Sequence, residues 1–262
     1  MSTSDDDGAA AGAVLFARYA YPPNALGYCG PADHHALLEY GSAGVADPGL
    51  RRLAAGFEGA WSYLELIAES AGITDPLDRR VVEAYWVGNR WLERVDRRRF
   101  GTALRERFRP LAGHNWNRLA DWACTDAAPH HSFQVFAVYP WVGLLGAGAG
   151  GHALHVLDRC RIRWGRVLSV TGDDVVVRSR PLRWDGRRLT LGAAGDETAT
   201  ASATGLRLAP RIVPGDWVSL HWDWVCDRLD ARQLAGLRRY TARQLDLTND
   251  LLATPGVART SG

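Results

Sequence analysis

Cys160-Arg161-Ile162-Arg163-Trp164-Gly165-Arg166-Val167-Leu168-Ser169-Val170 marks the point at which this chain changes character. Ahead of it, apolar residues recur every three or four positions. From Ile162 onward, runs rich in valine alternate with turn residues, the mark of short strands. Residues 162–170 and 175–180 flank Thr171-Gly172-Asp173-Asp174, a turn signal, and Trp184-Asp185-Gly186-Arg187 carries Asp-Gly as a hairpin does. Residues 192–205 are small and polar, which predicts a loop or an extended hairpin. Pro214-Gly215-Asp216 then turns into residues 217–224, where Trp217, Ser219, His221 and Asp223 share one face and Val218, Leu220, Trp222 and Trp224 the other. Residues 230–251 read as a closing helix.

The first half reads as helical. Leu53, Phe57, Trp61, Leu64, Ile67 and Ala68 form one amphipathic stripe. Thr74-Asp75-Pro76 has the cap and first-turn proline of a second helix, running through Val82, Tyr85, Trp86, Asn89 and Leu92. Further helices are expected at 97–109, ended by Pro110, and at 115–123 and 153–157. The predicted class is α+β: a disordered tail at 1–12, a helical domain at 13–155, and a small barrel with a terminal helix at 156–252.

Composition narrows the function. The 262 residues hold 31 basic against 29 acidic side chains, a net charge of +2, which argues against a nucleic-acid partner. Every basic residue is arginine, so Schiff-base and P-loop chemistry lose their usual lysine. Cys29, Cys124, Cys160 and Cys226 are too scattered for a disulfide framework. The opening residues lack the basic and apolar regions of a signal peptide, and no run of apolar residues has membrane-spanning length, so a soluble cytoplasmic protein is expected. No Gly-x-Ser-x-Gly elbow, HExxH motif or phosphate loop occurs. The glycines of 143–151 read as a hinge or tight packing.

Cys160, followed by four residues, Gly165, one residue and Val167, resembles the opening of the HypC/HybG/HupF family of NiFe-hydrogenase maturation chaperones. Gly215-Asp216-Trp217-Val218-Ser219-Leu220-His221 looks like that family's Gly-Asp-aromatic-Val-x-x-His strand. The likeness covers roughly residues 160–245. It implies a small HypC/OB-like barrel, not an enzyme, that binds an iron–cyanide–carbonyl unit transiently through Cys160 and His221. The implied partners are HypD-like maturation proteins or the hydrogenase large-subunit precursor, with neither nucleic acid nor membrane. The chain departs from the family in having an internal cysteine, Trp164 where the family has proline, and Asp223 where it has glycine. Tyr21-Pro22-Pro23-Asn24-Ala25-Leu26-Gly27-Tyr28-Cys29-Gly30-Pro31 is similar to an uncharacterised actinobacterial family often encoded beside hydrogenase genes.

Residue chemistry supports the pair independently: thiolate is a soft donor for iron, and neutral imidazole can add a second ligand. Both groups are expected together on one exposed rim. Cys29 with His34 and His35 forms a secondary candidate, with Asp33 capping a helix whose dipole would favour a Cys29 thiolate. Cys124, His130 and His131 form another, His131 being its leading residue. His152 and His155, three apart just ahead of Cys160, read equally as reaching the same site or as a solvated helix face, and Cys226 reads as packing beneath the last helix. The alternative function is an enzyme of hydrogenase-associated metabolism, with its site in the helical half at Cys29, His34 and His131 and the barrel as a docking module.

Overall fold

The computed structural model describes residues 3–107, 127–146 and 150–253. The helix expected at 115–123, together with Cys124, lies outside them. Helix α1 (Thr3–Ala25) is the central pillar. Val14, Leu15, Phe16, Ala17, Tyr19 and Ala20 are all buried, so this stretch is covered on every side, as an interior helix must be. The expected tail at 1–12 is corrected: residues 3–12 continue α1. At Gly12 the chain passes so close to Leu77 that a Cβ would lie 1.8 Å from the Leu77 carbonyl oxygen.

Around α1 stand α2 (His34–Ala43), α3 (Pro48–Ala55), α4 (Glu58–Ala71), α5 (Arg79–Trp86) and α6 (Arg97–Arg107). The stripe from Leu53 to Ala68 is two helices rather than one, interrupted at Gly56 and Phe57. The break sends Phe57 edge-on against Phe16, with ring centroids 5.4 Å apart. Helix α5 begins three residues later than Pro76, because Asp78 supplies the cap by accepting from the Arg80 amide at 2.8 Å.

Helix α7 (Gly150–Cys160) leads into β1 (Arg163–Thr171), followed by β2 (Asp174–Ser179), β3 (Leu182–Trp184), β4 (Leu189–Leu191), β5 (Gly195–Thr200), β6 (Trp217–His221) and β7 (Trp224–Arg228). The fold is thus mixed α and β. Strands β3 and β4 form the expected hairpin. The other five pair in the order β1-β2-β5-β7-β6, with β1 also pairing β6. The segment 192–205 contains strand β5, antiparallel to β2 through six residue pairs. Its composition hid it, because Ala199 is its one residue buried among Val167, Val175, Val177, Val218, Leu220 and Val225.

The boundary expected at 155/156 falls inside α7, and apolar packing spans it. Ile162, Cys226, Leu229, Leu234 and Leu237 share one apolar cluster with α1, α4 and α5. The Tyr19 hydroxyl lies 2.8 Å from Ser219 Oγ on β6. Helix α8 (Ala231–Ala253) closes the assembly, its Gly236 lying against Gly88 so tightly that a Cβ would stand 2.3 Å from the Gly88 oxygen. Overpacking there has to shift backbone, so Gly236→Val is expected to destabilise the chain by about 3 kcal/mol. A thermal melt unchanged from wild type would contradict this helix placement. Among the described residues no helix is long and apolar enough to cross a membrane.

Candidate metal centre

Strand β6 alternates as its sequence requires. Val218 and Leu220 point into the valine-rich interior, while Ser219 and His221 point the other way. That second face is buried too, because α1 lies across it. His221 is fully buried, and its Nδ1–H donates to the Tyr19 carbonyl at 2.6 Å. A carbonyl can only accept, so this bond assigns the tautomer and leaves the lone pair on Nε2. Nε2 is buried and has no hydrogen-bond partner. A ring nitrogen oriented by a backbone carbonyl through its opposite N–H is the usual arrangement of a metal-ligating histidine.

Cys160 is the last residue of α7, at the junction with β1. Three contacts hold that junction beside the turn after His221. The Trp222 amide donates to the Arg159 carbonyl at 2.8 Å. Arg163 Nη2 donates to the Trp222 carbonyl at 2.8 Å, and its Nη1 reaches the Asp158 carbonyl at 3.4 Å. Trp222 itself adopts φ +50°, a left-handed conformation rare for a bulky residue. The guanidinium is 1% exposed, and burial lowers its pKa to about 10, with Glu197 at 3.2 Å opposing the shift. Arg159 and Ser179 also bind Glu197, so the carboxylate anchors the whole junction.

A third candidate ligand comes from the helical half. His131 opens a short helical turn, His131–Phe133, capped by His130. Its Nε2–H donates to the Cys160 carbonyl at 2.9 Å, and the Tyr85 hydroxyl lies 3.3 Å from its Nδ1. The His131 and His221 rings stand edge to face at 5.2 Å. One ligand atom each from His131, Cys160 and His221 lie within 4.8 Å of one another. Metal bonds of 2.0–2.3 Å place ligand atoms roughly 3.5 Å apart, so side-chain adjustments of about 1 Å would complete a coordination shell. The donor set, one thiol and two imidazoles, suits a soft or borderline transition metal.

Burial favours the neutral form of each of these groups, which suits the imidazoles as donors and opposes ionisation of the thiol. It pushes the Cys160 thiol far up, with the nearby Cys29 adding to the effect. It lowers His131 to about 4, opposed by the bond to the Cys160 carbonyl, and takes His221 well below its ordinary value, assisted by His131. Both imidazoles are therefore neutral at pH 7, and only the thiol must lose a proton to a metal. Metal loading is expected to release about one proton per ion, measured by pH-stat titration. Release of two or more would show that an imidazole gives up its proton as well.

The three candidate ligands, all buried, line a cavity of about 270 Å³. Exposed Tyr28, Gly30, Glu58 and Pro140 lie at its outer end, and Tyr85, Trp86 and Gln134 line its depth. The expected juxtaposition of Cys160 and His221 is present, but inside this cavity rather than on an exposed rim, because α1 and the His131 segment roof them. Cys29 lines the same cavity, half-buried, and burial raises its thiol to about 12 instead of activating it as its place near a helix start suggests. His34 and His35 stand exposed on α2, away from the cavity, with His35 paired to Glu39. The site expected in the helical half is thus divided: Cys29 and His131 lie with Cys160 and His221, and the α2 histidines do not. His130 stacks on Tyr240 instead. His152 and His155 occupy the exposed face of α7, and Cys226 is buried in the core. The role of His131 as third member was not apparent in the sequence; its only signal was a histidine pair after Pro129, ahead of a buried apolar run.

The profile of a family of unknown function (DUF6390) matches residues 8–255, and the chain belongs to that family. No curated protein and no solved structure matches it.

Proposed function

We propose that this member of the DUF6390 family is a NiFe-hydrogenase maturation factor that holds an iron–cyanide–carbonyl unit on Cys160, His221 and His131. One observation carries the reading. The cysteine and histidine picked out by their resemblance to the chaperone motifs, far apart in the chain, lie beside each other with an unpartnered imidazole nitrogen between elements that support it. The ring of five strands is read as the HypC-like barrel. His131 answers the main departure from those chaperones: an internal cysteine brings no free α-amino group, and a third side chain takes up the coordination. Three protein ligands beside a cavity also leave room for diatomic ligands, as a closed four-ligand structural site does not. Cytoplasmic HypD-like proteins and the large-subunit precursor are the partners this reading implies.

Protein isolated without oxygen from a hydrogenase-producing host is expected to show cyanide and carbonyl infrared bands. Cys160→Ala should remove the bands and hydrogenase activity together, and normal hydrogenase in that strain would refute the reading. A second reading, a metal-dependent enzyme, is favoured by the depth of the site, since three ligands beside a cavity is also the count of catalytic metal centres. Protein that retains tightly bound zinc and never shows the bands would select it.

A further inference from the structure

The cavity holds two cysteines at different depths, and the metal reading above accounts for one. Cys160 lies at the buried end with His131 and His221, while Cys29 lines the same cavity half-buried, next to the exposed Tyr28 and Gly30. The backbone around Cys29 is unusually constrained. The buried Asn24 side chain donates to the Cys29 carbonyl at 2.6 Å and to the Pro31 carbonyl at 2.7 Å, clamping the chain on both sides of the thiol. Gly30, with φ +83°, lies so close to Phe57 that a Cβ would meet the ring at 2.3 Å, so the loop is seated against the core. A buried amide holding two successive stretches of an irregular loop fixes the position of what that loop carries. At the buried end of this cavity, His221 Nε2 lies without a hydrogen-bond partner, and a metal bond would give that buried nitrogen one.

Resting on the metal reading, we propose that Cys29 is a transfer thiol, which takes an incoming thiophilic metal at the cavity mouth and hands it to Cys160. Ligand exchange makes the step balance without oxidant or reductant. The metal–sulfur bond to Cys160 forms as that to Cys29 breaks, and the proton displaced from the Cys160 thiol passes to the departing Cys29 sulfur. The charge of the cavity is unchanged, and the two imidazoles complete the final shell. Release to an acceptor is the same exchange reversed.

Cobalt(II) tests this in the full-length reduced chain, through its sulfur-to-metal absorption. Cys29→Ser and Cys29→Ala are expected to reach the wild-type final spectrum, with affinity within about threefold, while uptake and removal by a chelator slow at least tenfold. Unchanged rates in both variants would overturn the proposal. So would a loss of affinity as large as that of Cys160→Ser, which would make Cys29 a permanent ligand. Failure of the underlying metal reading looks different: the wild-type chain would then develop no sulfur-to-cobalt band at all.

Discussion

Arg163→Met is expected to lower the melting temperature by about 8 °C and to abolish metal binding, although Arg163 touches no ligand atom of the centre. The guanidinium is almost wholly buried, and it ties Glu197 and the Asp158 carbonyl to the Trp222 carbonyl. Methionine fills much of the volume but leaves the Trp222 carbonyl and part of Glu197 without a partner. Breaking a buried pair costs roughly 3–5 kcal/mol. Arg159 and Ser179 still hold Glu197, so the lower end, about 3 kcal/mol, is the better figure, equivalent to some 8 °C in a chain of this size. The metal is lost for a different reason: without that bond the turn at Trp222 is free to relax from its strained φ, carrying His221 away from Cys160. Calorimetry and cobalt titration measure the two effects separately. A variant that melts earlier yet binds cobalt normally would show that Arg163 stabilises the fold without positioning the site.

His221→Ala should weaken cobalt or zinc binding by at least about 100-fold, since it removes a ligand and not merely a supporting partner. Its stability cost is smaller, roughly 2 kcal/mol, from the unpaired Tyr19 carbonyl and the space left beside Trp86. His130→Asn, whose amide oxygen can keep the cap on the Ser132 amide, is the matching control. His130 is as buried as His221 and adjacent to His131, and its pKa, pushed down to about 3 by burial, keeps it neutral too. It belongs to no ligand group among the described residues, so its removal should cost stability and leave metal affinity within a fewfold of wild type. Equal losses in the two variants would mean that the metal reports on folding, and the assignment of His221 as a ligand would fail.

The two substitutions separate what local pattern can encode from what packing must supply. The change from helical to strand periodicity at Ile162, the Asp-Gly hairpin at Asp185-Gly186 and the alternation of Val218 and Leu220 with Ser219 and His221 were all legible in the sequence, because each depends on near neighbours and on backbone periods of 3.6 or 2. Cys160 and His221 were legible through the motifs that carry them. The division of the Leu53–Ala68 stripe into two helices was not, because its period survives the break at Gly56 and Phe57. Strand β5 was not either, because an edge-like composition with one inward alanine carries little pattern.

The sequence by itself determined which residues could donate to a metal and which face of β6 His221 would occupy. Tertiary structure alone decided that the face bearing His221 is roofed by α1, that Arg163 draws the turn after His221 onto the end of α7, and that His131 and Cys29 arrive in the same cavity from the other half of the chain. Those arrangements rest on contacts between segments remote in sequence, held by buried hydrogen bonds and shared apolar packing, and no local rule of periodicity or capping specifies which distant partner a buried group will meet.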